Sequence, residues 1–243
     1  MDKQQVLYED LGIIDYKAAW DYQEVLVNKN REIKSQVKKC PNINTQYPTH
    51  NDQLQTTNHL LFCEHPAVYT LGKSGNIKNV LLSEKEMEEK EIQFFKTNRG
   101  GDITFHGLQQ VVGYPILDLE NFYTDIGKYL RELEEVIIRT IAEYGLKGER
   151  SNGETGVWIE PGIVGRERKI CAMGIRCSRW ITMHGFALNV NTNLSYFENI
   201  IPCGIQNKQV TSIEKELNKK INLEEVKEKL KRHFSAIFNV EII

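Results

Sequence analysis

The chain lacks most of the features that settle a protein's class at a glance. Its charge is balanced, 31 basic against 33 acidic side chains for a formal net of −2, so nothing calls for a polyanionic partner such as nucleic acid. No apolar run approaches the ~20 residues that span a bilayer. No apolar signal region follows Met1-Asp2-Lys3-Gln4-Gln5 either, so a cytoplasmic protein without a membrane role is expected. Cysteines are few: Cys40, Cys63, Cys171, Cys177 and Cys203 are odd in number and show no CxxC spacing, which disfavours a disulfide framework or a structural zinc site and fits a reducing compartment. No histidine has partners at metal-ligand spacing, and there is no internal repeat or low-complexity stretch.

What is present reads as one ordinary soluble domain over residues 1–243, with 40% hydrophobic and 26% charged residues and no long linker between two complete sets of elements. A first strand over 6–12 is followed by a helix that Asp15 caps, with Ala18, Ala19, Tyr22 and Val25 as its apolar positions. Residues 40–52 shift to Pro, Asn, Thr and Gln without periodicity and read as a surface-loop insertion. A strand over 59–69 carries an irregularity at Pro66, Ser83 caps a short helix, and strands are expected at 92–96, 103–105 and 111–119. Thr124 or Asp125 caps an amphipathic helix through Ile126, Leu130, Leu133, Val136, Ile137, Ile141 and Tyr144, ended by Gly145. Further strands at 156–160, 169–176 and 180–190 precede a C-terminal helix from Leu223. That order points to an α+β fold, a mixed and largely antiparallel sheet with the helices on one side.

The stretch that stands out is Arg99-Gly100-Gly101-Asp102-Ile103-Thr104-Phe105-His106-Gly107. Paired glycines let backbone approach a ligand closely, and Ile-Thr-Phe suits a short strand. Taken alone it is either a glycine-lined wall between a cation and an imidazole, or a turn into an ordinary strand with Arg99 solvated. Two reactive groups also draw notice. Cys203 lies between Pro202 and Gly204, which suits an exposed thiol at a turn or simply a turn. Lys169 precedes Ile170, Cys171, Ala172 and Met173, so its amine stands at the edge of an apolar strand, while Arg166 and Arg168 suggest a strand start near water.

Several segments together resemble the lipoyl(octanoyl) transferases of the biotin/lipoate protein ligase superfamily. They are Glu64-His65-Pro66-Ala67-Val68-Tyr69-Thr70-Leu71-Gly72, the 99–107 stretch with its continuation Gln110-Val111-Val112-Gly113-Tyr114-Pro115-Ile116-Leu117-Asp118-Leu119, Lys169-Ile170-Cys171-Ala172-Met173-Gly174-Ile175-Arg176, His184-Gly185-Phe186-Ala187-Leu188-Asn189-Val190-Asn191, and Ile201-Pro202-Cys203-Gly204. The resemblance implies a biotin/lipoate-ligase-like α+β fold and a ping-pong acyl transfer. Octanoyl-acyl carrier protein would be the donor. The acceptors would be lipoyl domains of 2-oxoacid dehydrogenase acyltransferase subunits and the glycine cleavage H protein. No metal, nucleotide or organic cofactor is implied.

By the same resemblance Cys203 is the thioester nucleophile and Lys169 either lowers its pKa or takes its proton. Arg99, Gly100, Gly101, Asp102, Ile103, Thr104, Phe105 and His106 form one substrate-binding wall; Ala172, Met173, Gly174, Gly185, Phe186 and Ala187 form the others, with backbone N–H groups available to a developing oxyanion. Cys171 is the rival thiol, and His106 and His184 are structural histidines or general bases. One departure concerns the loop after His106-Gly107, where Leu108-Gln109 replaces the family's Pro-Gly and is expected to alter the turn. Two other readings share the fold or the partners: an ATP-dependent lipoate or biotin ligase, and a non-catalytic acyl-carrier-binding protein. The chain has no Gly-Arg-Gly-Arg run of the biotin-ligase type.

Overall fold

The computed structural model describes residues 3–39, 55–201 and 209–243; Cys40, the 40–52 stretch and Cys203 lie outside the described residues. In chain order the first half comprises β1 (Gln4–Ile13), α1 (Tyr16–Lys39), β2 (Asn58–Glu64), β3 (Val68–Leu71), α2 (Glu84–Glu89), β4 (Gln93–Lys96), β5 (Ile103–His106), β6 (Gln110–Ile116) and α3 (Ile126–Ala142). The second comprises β7 (Gly148–Ser151), β8 (Glu154–Ile159), β9 (Arg168–Ser178), β10 (Ile181–Asn189), β11 (Gln209–Val210), α4 (Ile213–Leu217), α5 (Leu223–Phe238) and β12 (Val240–Ile242). A nine-stranded sheet runs β12-β1-β2-β6-β10-β9-β8-β7 with β11 beside the start of β9, and a three-stranded sheet runs β4-β3-β5. Pairings from β2 through β7 are antiparallel, while β1 is parallel to both β2 and β12. This is the mixed α+β architecture anticipated above.

Capping chemistry fixes the helix starts. Asp15 Oδ1 accepts from the Lys17 and Ala18 amides, and Ser83 and Glu86 form a reciprocal capping box. Of the two candidate caps for α3, Asp125 holds the place, accepting from Lys128 N at 2.9 Å. The helices do not lie on one side, as the element order had suggested. Leu133, Val136, Ile137 and Ile141 of α3 and Leu230 and Phe234 of α5 pack one face of the large sheet, against Val111, Phe186 and Leu188. Ala19, Leu26 and Val27 of α1 pack the other, against Val112, Ile116, Met183 and Ala187. A strand whose side chains are apolar on both sides needs cover on both.

Three further differences have physical causes. The inward stripe of α1 is Tyr16, Ala19, Gln23, Leu26 and Asn30, whereas Val25 is 62% exposed; two polar members disguised the helical repeat. The expected strand over 59–69 is two strands in different sheets, because the chain crosses over at His65 and Pro66, where Pro66 has no N–H for the ladder. In the loop after His106, Gln109 keeps the left-handed backbone (φ 64°) natural to glycine. It is held there by its N–H to Glu64 Oε2 (2.6 Å) and by its carbonyl, which accepts from Asn191 N (3.0 Å) and Thr192 Oγ1 (3.0 Å). A non-glycine residue in this region carries backbone strain, which these hydrogen bonds offset.

Candidate active site

The small sheet leans on the large one through backbone, where Gly100 and Gly174 allow the approach; Gly72 allows a similar one within the small-sheet side. Gly100 N donates to Ile175 O at 2.8 Å, joining the 99–106 stretch to β9. A Cβ on Gly174 would stand 2.7 Å from Gly100 O, and one on Gly72 would stand 2.3 Å from Gly101 O. Next to this contact the large sheet is irregular. The regular ladder of β6 and β10 is interrupted beyond Gly113 and Phe186, where Pro115 on β6 has no N–H and His184 on β10 turns to φ 60°, and it resumes where Thr182 N donates to Leu117 O at 2.9 Å. The His184 amide is taken instead by Gln23 Oε1 of α1 at 2.9 Å.

Between the two sheets lies a cavity of about 340 Å³, at the small end of the range for ligand sites. Gly100, Ile103 and Thr104 form one side, and Ala172, Gly174, Gly185 and Ala187 the other; Met173, Phe186 and Val112 add apolar surface. Arg99, Gly101, Asp102, His106, His184 and Lys169 also border it. Phe105 does not: its side chain is 1% exposed and packs with Tyr69, Tyr196 and Phe197 behind the wall.

Arg99 is 7% exposed, so the solvated alternative does not hold. It starts a one-way chain of hydrogen bonds across four strands. Arg99 Nη2 donates to Thr70 Oγ1 (2.9 Å), whose hydroxyl donates to His106 Nε2 (3.2 Å). His106 Nδ1–H donates to Gln110 Oε1 (2.9 Å), Gln110 Nε2 to Asn189 Oδ1 (2.8 Å), and Asn189 Nδ2 to Thr211 O (3.0 Å). Only this direction gives every member a partner, so His106 is the Nδ1–H tautomer with its Nε2 lone pair engaged. Burial, then the nearby His65 and Arg99, push its pKa well below the usual histidine value. His106 is thus a neutral brace. His184 is similar: burial, with Arg99 and Arg176 adding, lowers its pKa to about 3, and its Nε2 bonds Asn98 Oδ1 at 2.7 Å.

Lys169 is the ammonium at the other end of the cavity. Its side chain is 15% exposed, Nζ lies 4.0 Å from Glu154 Oε2, and it sits 4.5 Å over the Trp158 ring. The described residues flanking Cys203 are Ile201, whose N–H meets Asn79 O, and β11, whose Gln209 and Val210 pair with Arg168 and Lys169. The rival thiol Cys171 is 0% exposed in the core, where burial raises its pKa.

Residues 15–235 match a family described as the lipoyl protein ligase A/B catalytic domain. An octanoyltransferase of Christiangramia forsetii is 56% identical over 98% of this chain and 97% of its own length; one of Flavobacterium psychrophilum is 58% identical over 97% of each. The chain belongs to the octanoyltransferases of the lipoyl protein ligase A/B family. It is an acyltransferase. Among solved structures, an archaeal bipartite lipoate protein ligase from Thermoplasma acidophilum superposes with a TM-score of 0.66 at 16% identity, covering 100% of this chain and 86% of that one. A lipoate-protein ligase A bound with ATP gives 0.64 at 14% identity, covering 100% and 90%. Both show the fold alone.

Residues not singled out as site residues from the sequence also matter: Tyr16, Gln110, Tyr114, Glu154 and Asn189 border the cavity, and Thr70 anchors Arg99. Gln110 and Asn189 carried a usable signal, each a polar amide at the edge of an otherwise apolar strand, where burial demands a partner. No helix among the described residues is long and apolar enough to cross a membrane.

Proposed function

We propose that this octanoyltransferase moves an octanoyl group from octanoyl-acyl carrier protein to the lysine of a lipoyl domain through a thioester on Cys203, with Lys169 as its proton carrier. The observation that carries the reading is Lys169 itself, an ammonium at the mouth of a narrow apolar cavity and paired along β11 with the strand that follows Cys203 in the chain. The relatives named octanoyltransferase support the donor and acceptor, and small residues along β9 and β10 suit an unbranched chain.

The chemistry balances with these two groups. Cys203 thiolate attacks the thioester carbonyl, forming a new C–S bond; collapse breaks the carrier's C–S bond, and the carrier sulfur leaves as a thiol with a proton from the Lys169 ammonium. In the second half the acceptor amine attacks the acyl-enzyme, neutral Lys169 takes the surplus proton, and Cys203 departs as a thiolate beside a restored ammonium. An ammonium near the sulfur favours the thiolate at both ends of the cycle. The test is transfer from octanoyl-carrier to a lipoyl domain without ATP. Octanoylated domain is expected; a requirement for ATP and free octanoate would overturn the reading in favour of a ligase.

A further inference from the structure

The hairpin of β7 and β8 reaches the cavity from its outer edge, and its tip is held more firmly than a surface turn requires. Glu134 of α3, with a side chain 0% exposed, accepts from Gly156 N at 3.0 Å on one strand and from Arg150 Nε at 3.2 Å on the other. Arg131 Nη1 completes its coordination at 2.7 Å, and Arg150 also reaches Glu135 Oε2 at 2.8 Å. Gly156 has φ 114°, and a Cβ there would stand 2.5 Å from Cys171 O, so the hairpin lies directly on β9. A buried, fully paired carboxylate therefore fixes both strands beneath the tip.

What the tip presents is Glu154. Its side chain is 18% exposed, it borders the cavity, and its Oε2 stands 4.0 Å from Lys169 Nζ. Trp158, two turns of the pleat further along β8, is the cross-strand partner of Lys169 and offers its ring face to the same ammonium. The neighbouring Arg168 is taken by Glu160 and Glu216, at 2.6 Å each, and does not compete for Glu154. A carboxylate and an aromatic face both stabilise a cation.

We propose that Glu154 is a positioning residue: it holds the Lys169 side chain directed into the cavity. The inference deepens the Cys203 and Lys169 reading and rests on it for its effect on turnover, but not for the hold itself. Glu154 acts through Lys169.

The test follows Lys169 directly. N-hydroxysuccinimidyl acetate modifies neutral amines, so its rate at Lys169, read by peptide mass spectrometry with exposed Lys73 as internal reference, reports the hold. In Glu154→Gln the rate at Lys169 is expected to rise about fivefold, the worth of one partly exposed charge pair, with Lys73 and the melting temperature unchanged. Glu154→Asp is expected to stay near wild type, and kcat is expected to fall in Glu154→Gln with KM for the octanoyl donor unchanged. An unchanged modification rate in Glu154→Gln overturns the proposal. Full kcat in Lys169→Ala overturns instead the mechanistic reading on which it rests, and the two results are separable.

Discussion

Replacing Gly174 by alanine adds one methyl group at the point where the two sheets meet. The new Cβ would stand 2.7 Å from Gly100 O and 3.2 Å from Arg99 Cδ and Nη1. The arginine atoms belong to a buried side chain already tied to Thr70 and to the Gly100 carbonyl, and the oxygen is backbone, so the wall itself must move. The bond at risk is Gly100 N to Ile175 O, now 2.8 Å. Overpacking costs about 1–3 kcal/mol and a weakened buried hydrogen bond about 1 kcal/mol, so a loss of roughly 2–3 kcal/mol is expected. For a chain of this size that lowers Tm by about 5–10 °C. Because the same wall borders the cavity, KM for the octanoyl donor should rise by about tenfold, the kinetic equivalent of ~1.4 kcal/mol of lost binding, while kcat falls less. Thermal melts and steady-state transfer with octanoyl-carrier check both. A variant with wild-type Tm and KM would show that the sheets do not touch there, and the account of the cavity would fail.

Two other outcomes follow from buried histidine and strained backbone. Burial lowers the His65 pKa to about 4, so the folded state resists protonation that the unfolded chain accepts near pH 6.5. Stability present above pH 6.5 should therefore be lost as pH falls through about 4, with His65 alone contributing about 3 kcal/mol; urea unfolding that is flat between pH 6.5 and 5 would contradict this. Arg179 and Trp180 form the turn of β9 and β10 with φ 54° and 66°, a geometry suited to Asn-Gly, and Arg179 is exposed. Arg179→Asn should stabilise by about 0.5–1 kcal/mol, and a lowered Tm would refute that reading of the turn.

Legibility varied with the kind of signal each residue carries. Gly100 and Gly101 could be read as a wall because only close approach or positive φ explains paired glycines before a strand. The apolar neighbours of Lys169 drew notice to it, and only the family motifs gave it a role. The two faces of the sheet were harder. Gln23 and Asn30 sit in the buried stripe of α1, so the apolar repeat that should have marked its inner face was broken. The crossover at His65 was missed because the residues on both sides are equally β-favouring, and only the proline recorded the break. Glu154 carried no signal at all: in the sequence it is one more charge beside a turn. Its meaning comes from Glu134 and Arg150, which arrive from different elements.

The central claim is that an acyl group rests on Cys203 in a step that Lys169 assists. Intact-mass spectrometry after mixing the protein with octanoyl-acyl carrier protein, without ATP or acceptor, addresses it most directly. The account predicts one octanoyl adduct, lost on adding a lipoyl domain, absent in Cys203→Ala and slow to form in Lys169→Ala. An adduct that persists in Cys203→Ala, or transfer that proceeds at the wild-type rate in that variant, would contradict it.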